Sequence, residues 1–195
     1  MKLILSSCDF RNDKARNTII ENLDKPIEQC KLLFIPNEKA TIEAIHSKKY
    51  YLRMQEFGFK MENIFIFDYW RPQAFVKLDI DIIYISGGNT FETIKRIKDS
   101  GFYNEIIRYV ASGVIYIGGS AGAHIASKNI KHVSFFDPIP DGFNDFNGLG
   151  LFDGVLICHY TPDRKAIYDQ LNQEGKYKVY TLTEEESLVI SNSVM

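Results

Sequence analysis

Short apolar runs alternate with longer amphipathic segments along this 195-residue chain, and the alternation restricts the folds open to it. Each apolar run is too short for a buried helix, so we predict that it forms a strand. Strands that alternate with helices form parallel sheets covered by helices on both faces. We therefore predict an α/β fold with a mostly parallel central sheet, in one domain over residues 1–195. The predicted strands are 3–6, 32–35, 63–67, 80–85, 114–117, 154–158, 179–182 and 187–190.

Composition argues against several kinds of partner. Hydrophobic residues make up 45% of the chain, charged residues 25%, and the net charge is −2 at pH 7. Lysine and arginine are scattered rather than clustered, so no nucleic-acid partner is expected. No apolar run approaches the roughly 20 residues that cross a bilayer, so no membrane partner is expected. The opening residues lack a signal-peptide pattern, and we expect a cytoplasmic protein.

The cysteines and histidines do not predict a metal site. The three cysteines are far apart in sequence and form no C-x-x-C pair. Cys158 lies in an apolar run and is interpreted as a small buried residue rather than a nucleophile. No histidine pair has metal-ligand spacing such as H-E-x-x-H, and we expect neither a metal nor a cofactor.

The sequence Gly118-Gly119-Ser120-Ala121-Gly122 has the form G-x-S-x-G and directly follows a predicted strand. That pattern is typical of a nucleophile elbow, a sharp strand-to-helix turn that exposes the serine and requires small neighbours. The N–H of Ala121, at the start of the next helix, is a candidate oxyanion donor. The alternative is an ordinary glycine-rich connection with a capping serine.

A nucleophilic serine needs a base, and histidine is the usual one. His159 follows the strand over 154–158, so it is predicted at the same sheet edge as Ser120. His124 lies one turn after Ser120 and is expected to shape the pocket. His46 and His132 are expected at the surface.

The base needs an acid to orient it, and two carboxylates are candidates. Asp137 lies in a long aromatic, Gly/Pro-rich loop over 134–150, whereas Glu184 follows the strand over 179–182. A loop of that length is usually functional or mobile. We favour Asp137, because a bond to the base would anchor this loop, but the residues alone leave Glu184 open.

A second glycine pair, Gly87-Gly88, follows the strand over 80–85. The N–H of Gly88 is a candidate second oxyanion donor. The next residue, Asn89, is a candidate substrate contact, with capping of the following helix as the alternative. The pattern fits neither G-x-G-x-x-G nor a P-loop.

Together, Ser86-Gly87-Gly88-Asn89-Thr90, Gly118-Gly119-Ser120-Ala121-Gly122-Ala123 and His159-Tyr160 resemble the peptidase E (aspartyl dipeptidase) and cyanophycinase family of serine peptidases. The resemblance covers nearly the whole chain. It implies a class I glutamine-amidotransferase-like fold, which is a flavodoxin-like three-layer sandwich. It also implies Ser120 as nucleophile, His159 as base, and an oxyanion hole from Gly88 and Ala121.

From these features we predict a serine hydrolase that cleaves a small peptide or amide through an acyl-enzyme. Arg164 follows His159 by five residues, and a guanidinium there can pair with a substrate carboxylate, so short acidic peptides are the expected substrates. The alternative is a non-catalytic binding or stress-response module on the same fold. An amidotransferase-like subunit would need cysteine at position 120. A homodimer is one candidate assembly.

Overall fold

A computed structural model of the chain describes residues 1–191, and its centre is a six-stranded sheet. The strand order is β3-β2-β4-β5-β1-β8. Neighbouring strands are parallel, apart from the antiparallel pair that β8 forms with β1. The strands are β1 (Lys2–Ser6), β2 (Leu32–Ile35), β3 (Ile64–Ile66), β4 (Ile82–Ile85), β5 (Ile115–Gly119) and β8 (Ser187–Ser191). The predicted mostly parallel α/β sandwich is confirmed.

Aliphatic and aromatic side chains fill the central strands. Every residue of β2, β4 and β5 is buried, as expected for parallel strands covered on both faces. The covering helices are α1 (Asp13–Glu21), α2 (Ile42–His46), α3 (Lys49–Phe57), α4 (Thr90–Asp99), α5 (Tyr103–Ala111), α6 (Ala121–Ala126) and α7 (Lys165–Glu174). In residues 1–191 we find no helix with the length and apolarity needed to cross a bilayer.

Two details differ from the sequence-based expectation. The run over 154–158 forms β6 (Val155–Ile157), which does not rejoin the central sheet but pairs in parallel with β7 (Val179–Thr181). The amphipathic pattern near 39–57 predicts one long helix, but the structure has two, α2 and α3. Ser47 divides them: its backbone is extended, its hydroxyl donates to the carbonyl of Ala44, and it accepts from the N–H of Lys49.

The loop over 134–150 has little regular structure, yet its aromatic residues are packed. The rings of Phe143 and Phe146 lie 5.4 and 5.9 Å from the ring of Phe91 on α4. The N–H groups of Gly148 and Leu149 bond to carbonyls of Lys128 and Ile125. Phenylalanine packing therefore holds this loop against α4, and backbone bonds hold it to the end of α6 and the residues just after it.

Candidate active site

Ser120 occupies a strained turn between β5 and α6. Its backbone angles are φ 48° and ψ −105°, which side-chain-bearing residues rarely adopt. The turn is tight: a Cβ built on Gly122 would lie 2.0 Å from the carbonyl oxygen of Ile85, and one built on Gly118 would lie 2.7 Å from the carbonyl oxygen of Gly122. Glycine is required at both positions because neighbouring backbone occupies the space of a side chain.

His159 follows β6 and faces Ser120. Its Nε2 lies 2.8 Å from the Ser120 Oγ, within hydrogen-bond reach. The His159 backbone also has a positive φ, 52°, and its N–H donates to the Ser7 hydroxyl at 2.9 Å. Ser7 in turn donates to the carbonyl of Leu182 at 3.0 Å, so a residue beyond β1 fixes the backbone turn that presents the imidazole.

Glu184, in the turn after β7, meets the other ring nitrogen of His159. Its Oε1 lies 2.7 Å from the His159 Nδ1, and its Oε2 accepts a hydrogen bond from the Cys8 thiol at 2.5 Å. The pKa of Glu184 is lowered, chiefly because the Cys8 thiol bonds to the ionised form and additionally because His159 does. Although its side chain is 57% exposed, this carboxylate has a defined partner for each oxygen.

Asp137 lies elsewhere, and the preference for it as the partner of His159 is corrected by these contacts. Its Oδ2 accepts from the backbone N–H of Thr90 at 2.8 Å, at the start of α4. Asn89 serves the same helix end: its side-chain oxygen accepts from the N–H of Glu92 and its amide donates to the carbonyl of Pro138. Both residues accept hydrogen bonds from N–H groups in the first turn of α4 and connect the long loop to that helix. For Asn89, the structure therefore shows the helix-capping role that the sequence offered as the alternative to substrate contact.

The glycine that packs on the serine is Gly87. A Cβ built there would lie 3.3 Å from the Ser120 Cβ and 3.4 Å from the Arg11 Nη2. At Gly88 the same construction meets Glu38 and Asn37 instead. The Gly87-Gly88 segment thus lies beside Ser120. The glycine that approaches the serine is Gly87, one residue before the predicted oxyanion donor Gly88.

Arg164 lies next to the base and is already engaged. Its Nη1 donates to the carbonyl of Cys158 at 2.5 Å, and its guanidinium carbon lies 3.9 Å from the centre of the Phe136 ring. These contacts join the strand end before His159 to the aromatic loop. A guanidinium has five N–H donors, so this contact leaves others for a ligand.

Sequence reasoning missed the residues that follow β1. Asp9, fully buried with φ 50°, accepts hydrogen bonds from Arg11 Nε at 3.1 Å and from the Tyr84 hydroxyl at 2.8 Å. This network packs against Gly119, the residue before the nucleophile: a Cβ built on Gly119 would lie 2.1 Å from the Asp9 Oδ2. The missed signal was the position of 6–9 after a buried parallel strand, the criterion that found Ser120 and His159.

Three further residues form the buried floor below the base. Cys158 is fully buried, as predicted, and burial raises the pKa of its thiol to about 12. His124 accepts from the N–H of Cys158 at 3.1 Å, and burial holds its pKa well below the ordinary value. His132 was expected at the surface but is buried, with its Nε2 2.8 Å from the carbonyl oxygen of Leu156.

The Ser120–His159–Glu184 chain stands at the carboxyl edge of an open, mostly parallel sheet. A strained serine in hydrogen-bond contact with an imidazole, itself bonded to a carboxylate, is the arrangement of serine hydrolases.

The sequence matches the peptidase family S51 over residues 3–195, and the chain belongs to that family. A peptidase E of Citrobacter koseri is 36% identical over 83 residues, which are 43% of this chain and 35% of that protein. An uncharacterized peptidase of Listeria monocytogenes is 33% identical over 115 residues, 56% of each chain. These matches confirm the predicted relationship to peptidase E and the assignment to the serine peptidases.

The fold is shared with a crystal structure of a candidate peptidase E from Listeria monocytogenes. The TM-score is 0.76 at 22% identity, and the superposition covers 98% of this chain and 95% of the other. At this identity the likeness concerns the fold. In the sequence comparison, this chain spans 56% of the length of the Listeria peptidase named above.

Proposed function

We propose that this chain hydrolyses short peptides through an acyl-enzyme, with Ser120 as nucleophile, His159 as general base and Glu184 as the carboxylate that orients the base. The observation that carries the proposal is the continuous chain of contacts, 2.8 Å from Ser120 Oγ to His159 Nε2 and 2.7 Å from His159 Nδ1 to Glu184 Oε1. These distances are those expected between a nucleophile, its base and an orienting acid.

In this mechanism the Ser120 oxygen attacks the scissile carbonyl carbon while its proton moves to the His159 Nε2. The tetrahedral intermediate collapses, the C–N bond breaks, and the leaving amine takes the proton from His159. Water then attacks the Ser120 ester with His159 again as base, which releases the acid and restores the hydroxyl. Glu184 keeps the Nδ1 proton in place, so that Nε2 is free to accept.

Two backbone N–H groups are proposed to stabilise the oxyanion. One belongs to Ala121, the first residue of α6. The other belongs to Gly88: the preceding carbonyl, of Gly87, accepts from the Asn37 side chain at 2.7 Å, and a trans peptide directs its C=O and N–H to opposite sides. The Gly88 N–H therefore points away from Asn37, beside a segment that packs on Ser120.

We further propose that the substrate carries an acidic group bound by an arginine. Arg164 was the sequence-based candidate. Arg11 is a second candidate beside the nucleophile, because its Nη2 and the Ser120 Cβ lie 3.4 and 3.3 Å from the position that a Cβ on Gly87 would take. The Arg11 side chain is 51% exposed. Its Nε and Nη2 both donate to Asp9, at 3.1 and 3.5 Å, which leaves the N–H groups of Nη1 and the second N–H of Nη2 for a bidentate carboxylate contact. The cytoplasmic location and the homodimer stay predictions.

The test is hydrolysis of a dipeptide panel in which the first residue is Asp, Glu, Asn, Gln or Leu, measured for the wild-type chain and for Ser120→Ala. We expect cleavage of the acidic members and a loss on the order of 10³-fold or more in Ser120→Ala, as for removal of a triad member. A fluorophosphonate probe should label the wild type and not the variant. Undiminished hydrolysis by Ser120→Ala, or no labelling of an intact wild type, would overturn the proposal.

A further inference from the structure

Three side chains with metal-binding atoms converge behind the imidazole. The Cys8 Sγ, the His159 Nδ1 and a Glu184 carboxylate oxygen all lie within 4.8 Å of one another. Among residues 1–191, no other group of three histidine, cysteine or acidic side chains meets this criterion. The three come from different parts of the chain, after β1, after β6 and after β7, so the fold itself brings them together.

We propose that this cluster is an inhibitory site for a thiophilic divalent cation of the Zn²⁺ class, bound by Cys8, His159 and Glu184. Zinc takes thiolate, imidazole and carboxylate ligands at about 2.0–2.3 Å, most often in a four-coordinate geometry. Such bond lengths place the ligand atoms of a tetrahedral site about 3.3–3.8 Å apart, which small side-chain rotations reach from the observed cluster. The exposed edge of Glu184 leaves the fourth position to water.

The ligand set also selects the kind of cation. A thiolate favours zinc, whereas magnesium and calcium prefer oxygen ligands alone. Binding replaces the proton of the Cys8 thiol, which passes to solvent, and the thiolate and Glu184 together offset the charge of the ion. Arg11 and Arg164 are nearby cations that oppose binding, and the charge of Arg11 is offset by the buried Asp9 carboxylate.

Inhibition follows from the imidazole tautomer, and this part rests on the proposed function. A neutral imidazole that gives its Nδ1 lone pair to a metal carries its proton on Nε2. The His159 Nε2, which faces the Ser120 hydroxyl at 2.8 Å, would then be a donor and could not accept the serine proton. The cation would also occupy the carboxylate that orients the base, so one ion would disable two members of the triad.

Binding is tested first without reference to activity, by titrating the full chain with Co²⁺ in metal-free buffer and recording absorption. Cobalt bound to a thiolate shows a sulfur-to-metal charge-transfer band, which we expect in the wild type and not in Cys8→Ser. Glu185→Gln and Cys30→Ser are matched controls, since Glu185 pairs with Lys14 and Cys30 is buried away from the cluster. Both should keep the band. A wild type without the band, or a band unchanged in Cys8→Ser, would overturn the site.

Inhibition is then measured as the Zn²⁺ concentration that halves peptide hydrolysis, each variant against its own metal-free rate. We expect Cys8→Ser to raise that concentration about 10-fold or more, because even outer-shell partners of a metal typically contribute 10- to 100-fold in affinity. A chelator should restore the wild-type rate. Equal inhibition of wild type and Cys8→Ser would refute the inhibitory role. Metal binding by a chain that hydrolyses nothing would refute the proposed function but leave the cation site in place.

Discussion

The two halves of the candidate site rest on supports of different strength. Ser120 directly follows β5, a strand in the interior of the six-stranded sheet that is buried throughout. His159 and Glu184 follow β6 and β7 of the two-stranded sheet, and β7 is only partly buried. Because local stability follows burial and packing, the position of the nucleophile depends on the core of the fold. The strand before His159, β6, is also buried, so it is the position of the acid that depends on a partly buried strand and a few hydrogen bonds.

This difference predicts that substitutions in the two halves have different effects. A change beneath the nucleophile should lower the stability of the whole protein. A change at the exposed acid should leave the fold stable and alter the chemistry.

The largest effect is expected for Glu184→Gln, which removes the charge that stabilises the imidazolium. We expect kcat to fall on the order of 10²- to 10⁴-fold, within the range for loss of a triad carboxylate. The free energy of unfolding should change by no more than about 0.5 kcal/mol, because the side chain is largely exposed. Steady-state kinetics and urea unfolding measure the two quantities.

Asp137→Asn is the control for that variant. It should lose about 1 kcal/mol of stability through weaker capping of α4 and keep nearly all of its kcat. Equal kinetic damage in Asp137→Asn and Glu184→Gln would contradict the assignment of the acid.

Gly122→Ala probes the nucleophile half. The new Cβ would meet the carbonyl oxygen of Ile85, which belongs to a buried strand and cannot move aside. We expect the free energy of unfolding to fall by about 3 kcal/mol, at the upper end of the cost of overpacking. Gly142→Ala is the comparison, since its Cβ would meet open space at a φ of 73°, and the conformational cost alone is about 1 kcal/mol. Denaturant unfolding measures both variants. An equal loss of unfolding free energy in Gly122→Ala and Gly142→Ala would contradict the steric explanation.

An intermediate effect is expected for Arg11→Lys, a change that keeps a cation beside Asp9 but removes the planar fork. We predict that KM for acidic dipeptides rises about 10-fold with little change in kcat, since the contact forms in ground and transition states alike. Arg16→Lys, whose guanidinium bonds to the carbonyl of Phe57, should leave KM unchanged. An unchanged KM in Arg11→Lys would contradict the role of Arg11 and favour Arg164 as the residue that binds the substrate carboxylate.

The smallest effect concerns pH and the buried histidines. Burial lowers the pKa of His124 and of His132, so below the ordinary histidine value, about 6.5, the unfolded chain binds protons that the folded chain excludes. Stability is therefore full above that value and falls as the pH drops through it. In unfolding measurements from pH 7.5 to 5.5, the free energy of unfolding of His124→Gln should fall less steeply than that of the wild type, and equal slopes would contradict this explanation.

The sequence was most informative where local pattern and tertiary position coincide. The elbow at Ser120, the strand before His159 and the parallel sheet all follow from short apolar runs and small residues at fixed spacing. These features depend on backbone sterics and burial, which a sequence records directly.

Long-range pairings could not be read in the same way. Whether Asp137 or Glu184 meets His159 depends on β6 leaving the central sheet to pair with β7, and no local pattern distinguishes that pairing from a place in the main sheet. The network of Asp9, Arg11 and Tyr84 joins residues 75 positions apart and would have required the sheet order in advance. His132 likewise looked polar and exposed, because its carbonyl partner comes from β6.

The pairing of β8 with β1 has a consequence for synthesis on the ribosome. Glu184 lies in the turn that leads into β8, and Ser187 of β8 pairs with Ser6 at the start of the loop carrying Cys8. The other strands of the large sheet all leave the ribosomal tunnel before β8. The segment that presents His159 also waits for residues 179–182, because β6 pairs with β7 and Leu182 bonds to the backbone of Ile157 and Tyr160. By this reasoning, the proposed triad is complete only when residues 179–191 have emerged and docked.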